Sequence, residues 1–190
     1  MEKGSMVRNN RPETLFKRSL KGLGYLFLSQ VLTFFINISF TALLSRFILL
    51  LVFACICTTC ITLGLMFNWS YNCAKTDEAL NRQGTKPFDK YMPAKMSGVA
   101  GAIPLILYIL LILSKVGVLQ NFLPAYSILS NWQLPFRAVF TASIDVADIS
   151  VLGMVGFGFL TLLIPTAVAV TYVLVKRGVD FTKYIYEKKN

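Results

Sequence analysis

Four long apolar blocks limit this chain more than any other feature. They run roughly over 24–44, 47–68, 97–119 and 150–175, each about 20 residues or more. A helix rises 1.5 Å per residue, so about 20 residues cross a hydrocarbon layer of about 30 Å. Backbone N–H and C=O groups in lipid must bond within their own segment, so such blocks are read as helices. The expected fold is therefore an all-α integral membrane protein with four transmembrane helices.

Composition agrees. The chain has 190 residues, 55% of them hydrophobic, and a mean hydropathy of +0.62. Soluble domains run at about 45–50% apolar. The first block follows Lys17, Arg18 and Lys21 as a signal peptide would. It is longer than a signal-peptide core and no small-residue cleavage site follows it, so an uncleaved span is expected.

Charge supplies a second, separate signal. Lys and Arg number 19 against 9 Asp and Glu. Six of the basic residues fall in 1–23, five in 69–96 and five in 176–190, leaving Arg46, Lys115 and Arg137. Sixteen thus lie on one side of a four-span layout. Because cytoplasmic flanks are enriched in Lys and Arg, both termini are expected in the cytoplasm. The organisation expected is a basic N-terminal segment 1–23, a transmembrane hairpin 24–68, a cytoplasmic loop 69–96, a third helix 97–119, an extracytoplasmic segment 120–149, a fourth helix 150–175 and a basic tail 176–190. The turn between the first two spans is expected near Leu44–Phe47, with Ser39–Thr41 as the alternative. The 120–149 segment carries Phe122, Pro124, Tyr126, Trp132, Pro135 and Phe136. Such aromatics favour the headgroup level, so a short extracytoplasmic interfacial helix is expected there.

The net charge of +10 is explained by topology, and nucleic acid is not an expected partner. Its basic ends suit anionic lipids, each near-surface charge adding about 1 kcal/mol. Histidine is absent, which removes imidazole from any acid–base or metal-binding scheme. No phosphate-binding loop or Ser–His–Asp arrangement appears. No catalytic, cofactor or metal site is expected.

Residues 55–60 read CICTTC. Cys57 and Cys60 are three apart and sit about 60° from one another around a helix. Four spans carrying a CxxC resemble thiol–quinone oxidoreductases of the DsbB and vitamin K epoxide reductase type, and that resemblance implies Cys57 and Cys60 as the redox pair. The departures are that the pair lies about ten residues into its span and that 120–149 holds no cysteine, Cys73 being the remaining one. Packing by small, soft side chains is the leading reading.

Polar and small residues inside the spans are the remaining candidates. Gln30, Thr33, Asn37 and Thr41 fall on one stripe about 80° wide at 100° per residue. Such residues avoid lipid and should face protein or a water-filled path. Thr58, Thr59 and Thr62 supply a polar face on the second span, expected to bond across to the first. Gly98 with Ala102, and Gly153 with Gly156, mark expected close helix packing. Asp145 and Asp148 are the acids of the 120–149 segment, candidates for a cation or a basic partner and otherwise favoured at a helix start. Together these features suggest a non-enzymatic accessory or assembly subunit of a larger membrane complex, with other membrane subunits or its own copies as partners. The alternative is an oligomeric transporter or channel with its path along the Gln30 stripe. The location expected is a bacterial plasma membrane.

Overall fold

The computed structural model describes residues 13–44, 47–85, 87, 89–141 and 143–179, with the side chains of 40–44 left out. The basic residues before Glu13, Arg46, the tail from 180 onward and the Thr41 side chain lie outside the described residues. Among the described residues the chain is all-helical. Four helices are long and apolar enough to cross a membrane: α1 (Leu15–Leu44), α2 (Ile48–Arg82), α3 (Met92–Lys115) and α6 (Val151–Lys176). Two short helices, α4 (Leu123–Leu129) and α5 (Leu134–Phe140), stand between α3 and α6 and are joined through a 3₁₀ turn at Asn131–Gln133.

The helix ends follow from local chemistry. Gly84, Gly117 and Gly178 have φ of 68°, 85° and 83° and stand just past α2, α3 and α6. Left-handed backbone at such a position stops a helix, and glycine adopts it without a Cβ clash. A proline opens each of α3, α4 and α5 within the first turn, where its missing N–H costs no helical bond. Ser150 caps α6 by accepting from Gly153 N–H at 3.0 Å.

Two elements are longer than the hydropathy blocks. Helix α1 begins nine residues before 24, and its helix persists to Leu44, so Ser39–Thr41 lies within it rather than at a turn. The second, α2, has 35 residues, about 52 Å at 1.5 Å each, well beyond the hydrocarbon layer. The stretch from 69, expected as a polar loop, is helical as far as Arg82 and buries Trp69, Ser70, Cys73, Ala74, Asp77 and Leu80.

The packing order runs α1 on α2, α2 on α6 and α6 on α3, while α1 and α3 meet only lightly. One core holds Met66, Trp69, Met96, Ile164, Val168 and Tyr172; a second holds Leu111, Leu123, Tyr126, Met154 and Phe157. The α4–α5 hairpin joins the two, because Tyr126 belongs to the second core and Trp132 to the first.

The 120–149 segment therefore departs from the expected surface helix. Asn131, Trp132 and Gln133 are 3%, 1% and 2% exposed. The aromatic content that suggested the headgroup level instead anchors a hairpin folded into the bundle. Irregular backbone at membrane depth is tolerated where protein surrounds it. Its return loop is held by side chains: Asn121 donates to Ile144 O and accepts from Val146 N–H, and Lys115 donates to Ala147 O.

Candidate functional site

Among the described residues, two buried polar clusters and two concave surfaces stand out. The deeper cluster surrounds the hairpin turn. Asn37 Nδ2 donates to Asn131 O at 2.7 Å and to Asn131 Oδ1 at 3.2 Å. Asn131 Nδ2 in turn donates to Thr33 Oγ1 at 3.5 Å. Beside it, the Tyr126 hydroxyl donates to Gln133 Oε1 at 2.5 Å, and Gln133 Nε2 donates to Thr161 Oγ1 at 3.3 Å. The hairpin thus offers one amide to α1 and the next to α6.

The structure places the expected α1 stripe as follows. Thr33 and Asn37 are buried at 0% and 2%. The full buried stripe is Arg18, Gly22, Leu26, Ser29, Thr33 and Asn37, a spacing of three and four that holds one helix face inward. Gln30 lies at its edge, half-buried, with an enclosed Oε1 that has no hydrogen-bond partner.

The threonines of α2 do not bond to this stripe. Thr58 donates to Ala54 O and Cys55 O on its own helix. The Thr59 and Thr62 hydroxyls are buried without a hydrogen-bond partner. The α1 asparagine finds its partner 94 residues away on the hairpin, while the Thr58 hydroxyl is already bonded to its own helix.

The second cluster was missed by sequence reasoning. Arg18 on α1 and Asp77 on α2 form a two-pronged pair, both contacts at 2.6 Å, with side chains 1% and 7% exposed. The Tyr172 hydroxyl on α6 donates to Asp77 Oδ2 and is itself fully buried. Three helices are thereby joined at one charged point. Nearby, Ser70 Oγ donates to Val168 O at 2.8 Å, adding an α2–α6 bond. Arg18 had been counted among flanking positive charges. Glu13, just before α1, accepts from Lys21 in the helix, which holds that carboxyl below the usual carboxylate range.

Small residues divide by face. A side chain at Gly22 would run into the Trp69 ring, and one at Gly156 into the Phe140 ring. At Gly153 a Cβ would sit 3.2 Å from Phe140 O. Gly153 and Gly156 thus both lie against Phe140 of α5. Gly98 and Ala102 are exposed, and nothing crowds Gly98; Gly101 is the α3 glycine in contact, facing Pro165.

The acids and cysteines hold no centre. Asp145 accepts from Ala147 N–H at 2.9 Å and Asp148 accepts from the Ser143 hydroxyl at 2.5 Å, so both shape their own loop. All four cysteines are free thiols; Cys55 and Cys73 are buried, Cys57 is half-buried and Cys60 exposed. Among the described residues no three Cys, Asp or Glu side chains cluster as metal ligands would.

The concave surfaces lie on opposite sides of the hairpin. A groove of about 540 Å³ runs between α2 and α5, lined by Leu51, Val52, Ile56, Cys60, Val139 and Phe140 among others, with Cys55 and Thr59 along its α2 wall. A smaller cavity of about 170 Å³ opens between α1 and α3 beside Gln30 and Trp132. Comparison with known proteins brings no match: no family model, no curated protein and no solved structure is similar to the chain.

Proposed function

We propose that this protein is a non-enzymatic subunit of a larger membrane complex, with both termini in the cytoplasm and the α2–α5 groove receiving a transmembrane helix of another membrane chain. The observation that carries this reading is where the polar groups go. Asn37, Thr33 and Asn131 bond to one another, and Gln133 bonds to Tyr126 and Thr161, so the stripe serves as adhesive between helices rather than as the wall of a path. Of the two concave surfaces, the larger open to an outside molecule is the α2–α5 groove. Its lining is apolar and belongs to the first part of α2, so its occupant must be apolar too. Cys55 and Thr59 lie four residues apart along α2, with Cys60 next to Thr59, and small side chains four apart let a second helix approach closely. The uneven distribution of basic residues supports the orientation, and anionic lipid at the basic face fits the same charges.

A Trp at Val139 fills the groove. Mild-detergent purification followed by mass spectrometry should recover a stoichiometric membrane partner with the native chain, lose it in Val139→Trp, and keep it in Val155→Trp on the outer face of α6. A native chain that purifies alone as a symmetric oligomer with a central aqueous path defeats the proposal. A second reading, an oligomeric transporter, draws on the hairpin itself, since broken elements at membrane depth surround binding sites in transporters. For that reading Asn131 must leave Asn37 during turnover.

A further inference from the structure

The cavity between α1 and α3 differs from the α2–α5 groove in size and in outlook. Its floor is deep: Leu26, Ser130 and Trp132 are 6%, 4% and 1% exposed. Its rim is open: Phe27 is 70% and Ile103 44% exposed, with Leu23 beside them. Both rim helices are long and apolar enough to span a membrane. The mouth therefore opens sideways, toward hydrocarbon, where α1 and α3 meet only lightly.

Size and chemistry together narrow the occupant. The volume of about 170 Å³ is close to that of an engineered cavity of about 150 Å³ that takes benzene. It cannot receive a helix, which with its side chains is about 10–12 Å across. Apart from Gln30 and Ser130 the lining side chains are apolar, and the Gln30 Oε1 is itself enclosed. A water molecule needs two to four polar partners and finds too few in such a space. Left empty, the cavity forfeits dispersion contacts along its whole lining. A thin, flexible, apolar chain restores those contacts. The bilayer holds such chains at high concentration, so even weak affinity fills the site. The lipid-facing surface is also continuous with the cavity, because Phe27 and Ile103 belong to both.

We infer that this cavity binds one acyl chain of a phospholipid, which enters from the bilayer between α1 and α3 and lies against Trp132. The site is separate from the α2–α5 groove and does not depend on the partner proposed for it.

The test uses the full chain in nanodiscs of phosphatidylcholine that carries a diazirine on its acyl chain. Light turns the diazirine into nitrogen and a carbene, and the carbene inserts into a bond of whatever side chain it touches. Peptide mass spectrometry then locates the adducts. The expected result is labelling of the floor, at Trp132 or Leu26, alongside labelling of the outer face of α6 at Phe159. Leu23→Trp and Ile103→Trp, made separately, narrow the mouth from either side. Each should lose the floor adducts and keep those on Phe159. A native chain labelled on Phe27 and Ile103 but nowhere on the floor overturns the inference, and leaves the cavity to water or to nothing. Floor adducts that persist in either variant overturn it as well, because the chain then reaches Trp132 by a route other than this mouth.

Discussion

The two polar clusters solve the same problem with opposite materials. At the basic end, Arg18, Asp77 and Tyr172 bind α1, α2 and α6 by charge. Beneath the hairpin, Asn37, Asn131, Gln133 and Thr161 bind α1, the turn and α6 by neutral amides and hydroxyls. Position explains the difference. Asp77 is 29 residues from the start of α2, beyond about 40 Å of helix and so past the hydrocarbon layer. A charged pair is admissible there. Asn37 lies seven residues from the end of α1, about 10 Å inward, where lone charges are costly and neutral amides suffice.

The comparison predicts a graded series of losses, each read by denaturant or thermal unfolding in detergent. Asp77→Ala should cost most, about 3–5 kcal/mol, because Arg18 is left buried and unpaired. The double change Arg18→Met with Asp77→Leu should recover most of that loss, since apolar replacements of a buried pair are often neutral or better. If the double variant is no more stable than Asp77→Ala, the charged cluster is not the unit described. Gly22→Leu should cost about 1–3 kcal/mol by overpacking against Trp69. An unchanged midpoint there would mean that α1 and α2 are not held as close as the structure has them. Asn131→Leu should cost about 0.5–1.5 kcal/mol, because Asn37 keeps the backbone carbonyl of residue 131 and loses the side-chain oxygen, while Thr33 loses the amide that donates to it. Thr62→Val should be neutral or slightly stabilising, since its buried hydroxyl has no partner to lose. A clear loss would reveal a bond to that hydroxyl.

How much of this could be read from residues alone differs between the same two regions. The four spans were legible because hydropathy over about 20 residues needs no knowledge of partners. The inward face of α1 at Thr33 and Asn37 was legible for a similar reason: polar side chains avoid lipid wherever their partner lies. The partner itself was not, since Asn131 is 94 residues away and sits in a segment whose aromatics suit a headgroup zone equally well. Arg18 was hidden by abundance. One basic residue among many flanking a span carries no mark of its pairing with an acid 59 residues on. Its spacing of four from Gly22, and of four again from Leu26, was the available sign. The extent of α2 past residue 68 was hidden too, because the hydropathy window ends where helix propensity does not. Ala74, Glu78, Ala79 and Leu80 are good helix formers in that extension.

The hairpin decides whether the α1 stripe is adhesive or a path, so its burial is the central claim. Hydrogen exchange of backbone amides in nanodiscs tests it most directly. The account predicts that residues 126–133 are protected as strongly as the middle of α6. Exchange of 126–133 as fast as that of the exposed loop at 144–148 would contradict it, and would open the Thr33–Asn37 stripe to water.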